Sequence, residues 1–113
     1  MHEGTIAQSI LSTSLAAANG HKIKKIFFRA GALAGIEKES LLQFFAELKK
    51  GTLAEQAELI VEALPAKLTC VSCGRQGNYD GNQPLAVICQ VCGGENSLTG
   101  GQELFVESIE AAK

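Results

Sequence analysis

The chain is short of most features that announce a function. No apolar run approaches the roughly 18 residues needed to span a bilayer, and no basic n-region followed by an apolar h-region opens it. Both absences point to a cytoplasmic protein. Lysine and arginine number 10 against 12 acidic residues, for a formal net charge of -2. That balance speaks against a nucleic-acid partner, whose binders usually show a basic stripe. No GxxxxGK[ST] phosphate cradle is present, nor any nucleophile–base–acid set. An enzyme is not expected, and any nucleotide used alongside this chain must be hydrolysed by a partner. No internal repeat or low-complexity tract is evident.

What remains is an ordinary folding composition, with 46% hydrophobic and 19% charged residues over 113 positions. That length suits one compact core with at most a small satellite. Thr5-Ile6-Ala7-Gln8 fits a capping box. Behind it Ala7, Ile10, Leu11, Ser14, Leu15 and Ala18 form one stripe of a helix over about 5–18, with Asn19-Gly20 as the left-handed stop. "KIKKIFFRA" (22–30) reads as a strand at an edge or in a sheet partly covered on both sides. Its Lys22, Lys24 and Lys25 read as a charged edge. "GALAG" (31–35) breaks the pattern.

A second helix at about 38–49 carries Leu41, Phe44, Phe45 and Leu48 at i, i+3, i+4 and i+7, all read as core. Glu37 and Glu39 sit at its positive end, Lys49 and Lys50 at its negative end, and Gly51 terminates it. "AELIVEAL" (57–64) alternates as a half-buried strand closed by Pro65, and "QELFVESIE" (102–110) alternates again, with Glu103, Glu107 and Glu110 on a solvated face. The expected fold is α/β: two helices on a small three-stranded sheet, with a zinc-ribbon-like module inserted before the last strand. The core takes residues 1–66 plus 102–113, and the module takes 67–101.

Inside that module Cys70-Val-Ser-Cys73 and Cys89-Gln-Val-Cys92 give C-x2-C-x15-C-x2-C, the spacing of a zinc ribbon. Two residues between thiolates let one tight turn aim both sulfurs at a single ion, and a second turn completes a tetrahedron. Gly74 and Gly93 follow where the backbone must turn sharply. The large apolar residues nearby are few: Tyr79, Leu85, Val87 and Ile88. Order must then come from the metal, and structural zinc supplies on the order of 10–16 kcal/mol at neutral pH. A rubredoxin-like iron centre and a pair of redox-active C-x-x-C motifs are the rivals. The redox motif usually sits where a strand meets a helix, and neither flank here reads as helix. Four thiolates leave no open coordination position, so the role is structural.

The chain opens "MHEG". Unperturbed terminal amines and imidazoles lose protons near ~7.7 and ~6.5, so both are available as ligands at mild pH. A metal on the Met1 amine and the His2 backbone nitrogen closes a five-membered chelate, and His2 Nδ1 closes a six-membered one. Three coplanar nitrogens suit square-planar Ni(II) or Cu(II) better than tetrahedral zinc. A fourth ligand must come from Glu3, Glu37, water or a partner protein. His21 reads as a solvated loop residue.

The order and spacing of "MHE", "GALAG", "KGTLAEQAEL", "LPAKLTCVSCG", "CQVCGG" and "GQELFVESIE" resemble the HypA/HybF family, nickel metallochaperones of [NiFe]-hydrogenase maturation, nearly end to end. The resemblance implies an α/β core with His2 as principal nickel ligand, assisted by Met1 and Glu3 through the backbone. It implies structural Zn(II) on Cys70, Cys73, Cys89 and Cys92, and transient Ni(II). It also implies a HypB-type GTPase partner, the [NiFe]-hydrogenase large-subunit precursor as recipient, and urease maturation proteins as further clients. Ala32 stands where relatives often carry glutamate, and Glu37 where they often carry aspartate; Glu37 is a candidate accessory ligand. The zinc loops of relatives sometimes carry histidine, and residues 67–101 have none. The alternative is a zinc-ribbon interaction module with no specific nickel site.

Overall fold

The computed structural model describes residues 2–81 and 84–112. The chain forms two compact units. One comprises Met1–Arg29, Gly35–Glu62 and Leu104–Lys113, and the other Ala30–Ala34 and Ala63–Glu103. As expected, two helices accompany a three-stranded sheet, and a cysteine-bearing module precedes the last strand.

Helix α1 spans Glu3–Ala18. Its stripe buries Ala7, Ile10, Leu11, Ser14 and Ala18, and Asn19 takes the left-handed conformation (φ 50°) that stops it. The capping box does not form. The first ladder bond runs from the Ile6 N–H to the His2 carbonyl at 3.1 Å, so Thr5 and Gln8 lie inside the helix. His2 is the N-cap residue and contributes no side-chain cap. The acidic Glu3 in the first turn complements the positive helix end instead.

Strands β1 (Ile23–Gly31), β2 (Glu58–Leu64) and β6 (Leu104–Ala111) form the first sheet in the order β2-β1-β6. The Ala32 N–H donates to the Leu64 carbonyl just past the ends of β1 and β2. The two strands therefore run parallel, with helix α2 (Lys38–Leu48) in the crossover between them. Because β1 is central, the edge reading of Lys22, Lys24 and Lys25 is wrong. Burial of Ile23, Ile26 and Phe28 put the strand in the middle despite its lysines. Fully burying each such side chain contributes about 1.5–3 kcal/mol. Arg29 reaches across the sheet to both neighbours: its Nη2 lies 3.7 Å from Glu62 and its Nε 2.9 Å from Glu107, the latter too poorly aligned for a hydrogen bond. Glu107 is thus an ion-pair partner and not simply part of a solvated face.

On α2, Leu41 and Phe45 are buried, but Phe44 is 49% exposed and is not a core residue. It sits at the margin of the stripe, where its ring lies against Gly4 of α1. The Lys49 N–H closes on the Phe45 carbonyl, and Gly51 takes φ 77° after the helix.

The second unit holds a sheet that periodicity did not reveal. Strands β3 (Ala66–Cys70), β4 (Gln76–Tyr79) and β5 (Asn96–Thr99) pair antiparallel in the order β4-β3-β5, with Leu68 opposite both Gly77 and Leu98. Gly31 is held by the Glu103 carbonyl, and a Cβ there would collide with the Gly101 backbone.

Candidate metal centres

The two cysteine pairs are built alike. In the first, the Gly74 N–H returns to the Cys70 carbonyl and the Cys70 N–H donates to the Arg75 carbonyl. In the second, the Gly93 N–H returns to the Cys89 carbonyl and the Cys89 N–H donates to the Gly94 carbonyl. Gly74 and Gly93 take φ 78° and 79°, a conformation that L side chains rarely adopt. Each turn thus presents its two sulfurs on one side, as the spacing predicts.

The four sulfurs converge, all within 4.8 Å of one another. Cys70 and Cys92 approach to 3.4 Å, and Cys73 and Cys89 to 3.9 Å. Backbone donors already point at them, with the Cys73 N–H on Cys70 Sγ and the Gly94 N–H on Cys92 Sγ, both at 3.4 Å. The Cys73 N–H, against the cost of burial, holds the Cys70 thiol down to about 6. Cys89 is lowered, chiefly by the Cys92 N–H. The Gly94 N–H pulls Cys92 down as well, but the neighbouring Cys70 and Cys73 sulfurs and burial outweigh it and push Cys92 up to about 11. Not all four groups can carry negative charge this close without a cation among them. The donor set therefore fits a thiophilic divalent ion held tetrahedrally.

Little else orders this module. Among the described residues between 66 and 103, the buried non-glycine ones are Ala66, Cys70 and Cys89, while Val87 and Ile88 are exposed. The sulfur cluster occupies the place of a hydrophobic core. Gly94 was not singled out by sequence reasoning. A Cβ at that position would lie 2.6 Å from Ser72 Oγ and 3.3 Å from Cys70 Sγ. The doubled glycine after Cys92 was its signal.

The amino-terminal residues are arranged differently. Met1 lies outside the described residues. His2 is exposed, and Glu3 directs Oε2 to the backbone N–H of Glu37 at 2.9 Å. That bond, followed by the Glu3 N–H, holds the Glu3 carboxyl below its ordinary value of 4.5. Glu37 is the N-cap of α2 and is therefore brought beside the start of α1 from 34 positions away. Among the described residues the four cysteines are the one group of three or more such side chains able to hold a metal, so His2, Glu3 and Glu37 do not form a second side-chain cage. His21 is exposed in the turn after α1, and Ala32 is half-buried in the other unit.

Residues 1–111 match the family model described as "Hydrogenase/urease nickel incorporation, metallochaperone, hypA". The chain is 35% identical over 114 residues to the hydrogenase maturation factor HypA of Aquifex aeolicus, covering 97% of this chain and 96% of that relative. It is likewise 35% identical over 115 residues to the factor of the same name from Caldanaerobacter subterraneus, covering 97% and 98%. Among solved structures it superimposes on that of the nickel metallochaperone HypA from Helicobacter pylori with a TM-score of 0.64. There the identity is 22%, and 98% of this chain and 97% of that one are covered.

Proposed function

This chain belongs to the HypA family of hydrogenase/urease nickel-incorporation metallochaperones, and we propose that it carries Ni(II) on its first residues and releases it to an immature [NiFe]-hydrogenase. The observation that carries this reading is the early start of α1. With the first ladder bond at Ile6, the amide nitrogens of His2 and Glu3 stand outside the helix hydrogen-bond ladder. A metal can displace their protons without breaking a helix bond.

The Met1 amine, the His2 amide and His2 Nδ1 would then supply three nitrogens of the plane that Ni(II) favours, through one five-membered and one six-membered chelate, and the fourth position falls to Glu3, Glu37, water or a partner protein. The deprotonated His2 amide would offset part of the ion's charge, which lessens the repulsion a helix N-terminus exerts. The Glu3 carboxylate is occupied with the Glu37 N–H, so Glu3 contributes through its backbone and Glu37 remains an accessory ligand at most.

Cys70, Cys73, Cys89 and Cys92 hold structural Zn(II) in this reading. It holds the module's turns in place and takes no part in the handover. The role is carriage in the cytoplasm, without catalysis. A HypB-type GTPase supplies the nucleotide step, the hydrogenase large-subunit precursor receives the nickel, and urease maturation proteins are secondary clients.

Calorimetric nickel titration of the zinc-loaded protein with a free amino terminus, beside an amino-terminally acetylated form and His2→Ala, tests the reading. One nickel per chain in the first and none in the other two is expected, with one zinc in all three. Equal nickel uptake by the acetylated form overturns the amino-terminal site, and no nickel uptake by any of the three forms leaves a zinc-ribbon interaction module.

A further inference from the structure

Beside the second cysteine turn, with Cys89 in its wall, lies a cavity of about 230 Å³. Leu68, Ala86 and Ile88 contribute its apolar surface, and Arg75, Gln76 and Gln90 stand among its polar lining. No aspartate or glutamate among the described residues lines it. Among the described residues Arg75 has no carboxylate within ion-pair distance, although Arg29 has two. The cavity is open where β4 passes it. Gly77 stands opposite Leu68 in register, on the same face, and a Cβ there would meet nothing within 4 Å.

Size and charge together narrow the ligand. Pockets for drug-sized ligands and cofactors run about 300–1,000 Å³, so this one takes a single residue and not a nucleotide. An unpaired guanidinium favours a planar carboxylate, which it grips with two parallel N–H bonds. The side-chain amides of Gln76 and Gln90 match a peptide group. An apolar floor wants an aliphatic side chain within a few ångströms of that charge. A chain-terminal aliphatic residue carries carboxylate and side chain on one carbon, whereas an internal aspartate or glutamate would need a neighbour to supply the apolar part.

We propose that this cavity anchors the carboxy-terminal aliphatic residue of a partner protein, with Arg75 on the carboxylate and the side chain on Leu68, Ala86 and Ile88. The zinc module is then a docking element as well as a scaffold. This inference is independent of how nickel is bound.

The probe is acetyl-Gly-Leu with a free carboxylate, titrated into zinc-loaded, 15N-labelled protein and followed by amide shifts. Saturable shifts at Gly77, Ile88 and Gln90 are expected, and the same peptide ending in a carboxamide should bind roughly tenfold to a hundredfold more weakly. Arg75→Gln should weaken the carboxylate peptide to the level of the amide. Gly77→Val, whose backbone is not in the left-handed region, should exclude both peptides while one zinc per chain is retained. Equal binding of the two peptides, or shifts that survive both substitutions, overturns the proposal. So does Arg75→Gln releasing zinc with the peptide shifts unaltered, because Arg75 would then serve only to balance the thiolates.

Discussion

The backbone N–H of Glu37 donates to Oε2 of Glu3 at 2.9 Å, joining the first turn of α1 to the residue that opens α2. One exposed hydrogen bond thus ties the start of α2 to the start of α1. It also occupies the carboxylate nearest the proposed nickel nitrogens.

Glu3→Ala should free the Glu37 amide and raise its hydrogen-exchange rate, while Glu3→Gln, which keeps an acceptor oxygen, should largely preserve protection. If nickel is held through the Glu3 backbone, both variants still bind one nickel per chain. Loss of nickel in Glu3→Gln would instead make the carboxylate a ligand.

Acid should separate the proposed nickel site from the Glu3–Glu37 bond. The Glu3 carboxyl is held below its ordinary 4.5, so its stabilising effect is complete above that value and is lost only as pH falls through the lowered folded one. Unperturbed imidazoles and terminal amines gain protons below about pH 6.5 and about pH 7.7, respectively. Lowering pH from 7.5 to 5.5 should therefore expel nickel, read by its absorption bands, while the Glu37 amide stays protected. Simultaneous loss of both would contradict the assignment.

Gly94→Ala should lower zinc affinity, measured by competition with a chromogenic chelator, because its Cβ would lie 2.6 Å from Ser72 Oγ and 2.9 Å from Ser72 Cβ. The double variant with Ser72→Gly removes both atoms and should recover most of the loss. Gly74→Ala should cost about 1–2 kcal/mol through its left-handed backbone, with no comparable rescue.

Ser14→Ala should stabilise the first unit. The Ser14 hydroxyl is fully buried and unpartnered, and removing an unsatisfied buried polar group gains about 1–3 kcal/mol. Thermal denaturation of the zinc-loaded protein should show a higher midpoint, with nickel uptake unaltered.

Gly31→Ala should be among the most harmful single changes, because the added Cβ meets Gly101 backbone and not a movable side chain. A loss at or beyond the upper end of the usual 1–3 kcal/mol for overpacking is expected, read by chemical denaturation.

Local pattern carried much of this fold. The helices α1 and α2, the Asn19 and Gly51 stops and the strands β2 and β6 depend on neighbours within a few turns or residues, and they form where expected, although burial does not alternate strictly along either strand. The misreadings share a cause. Whether Lys24 lies on an edge or a central strand depends on which strands flank it, and whether Phe44 is core or margin depends on where α1 crosses. The strands β3, β4 and β5 escaped notice because their sheet is ordered around sulfur and carries no regular apolar face.

By itself, the sequence determined which metal-binding side chains are on offer: two C-x2-C pairs at zinc-ribbon spacing, and the histidine at position 2 on which the proposed nickel site rests. Spacing within each pair is a matter of a few consecutive bonds. Tertiary structure alone decided that Glu37 arrives beside Glu3, that Arg29 bridges two strands, and that Arg75 lines one cavity with Leu68, Ala86 and Ile88 and, among the described residues, with no acidic side chain. Those relationships join residues far apart in the chain, and no periodicity encodes a contact that exists only after the sheet and the cysteine turns have formed.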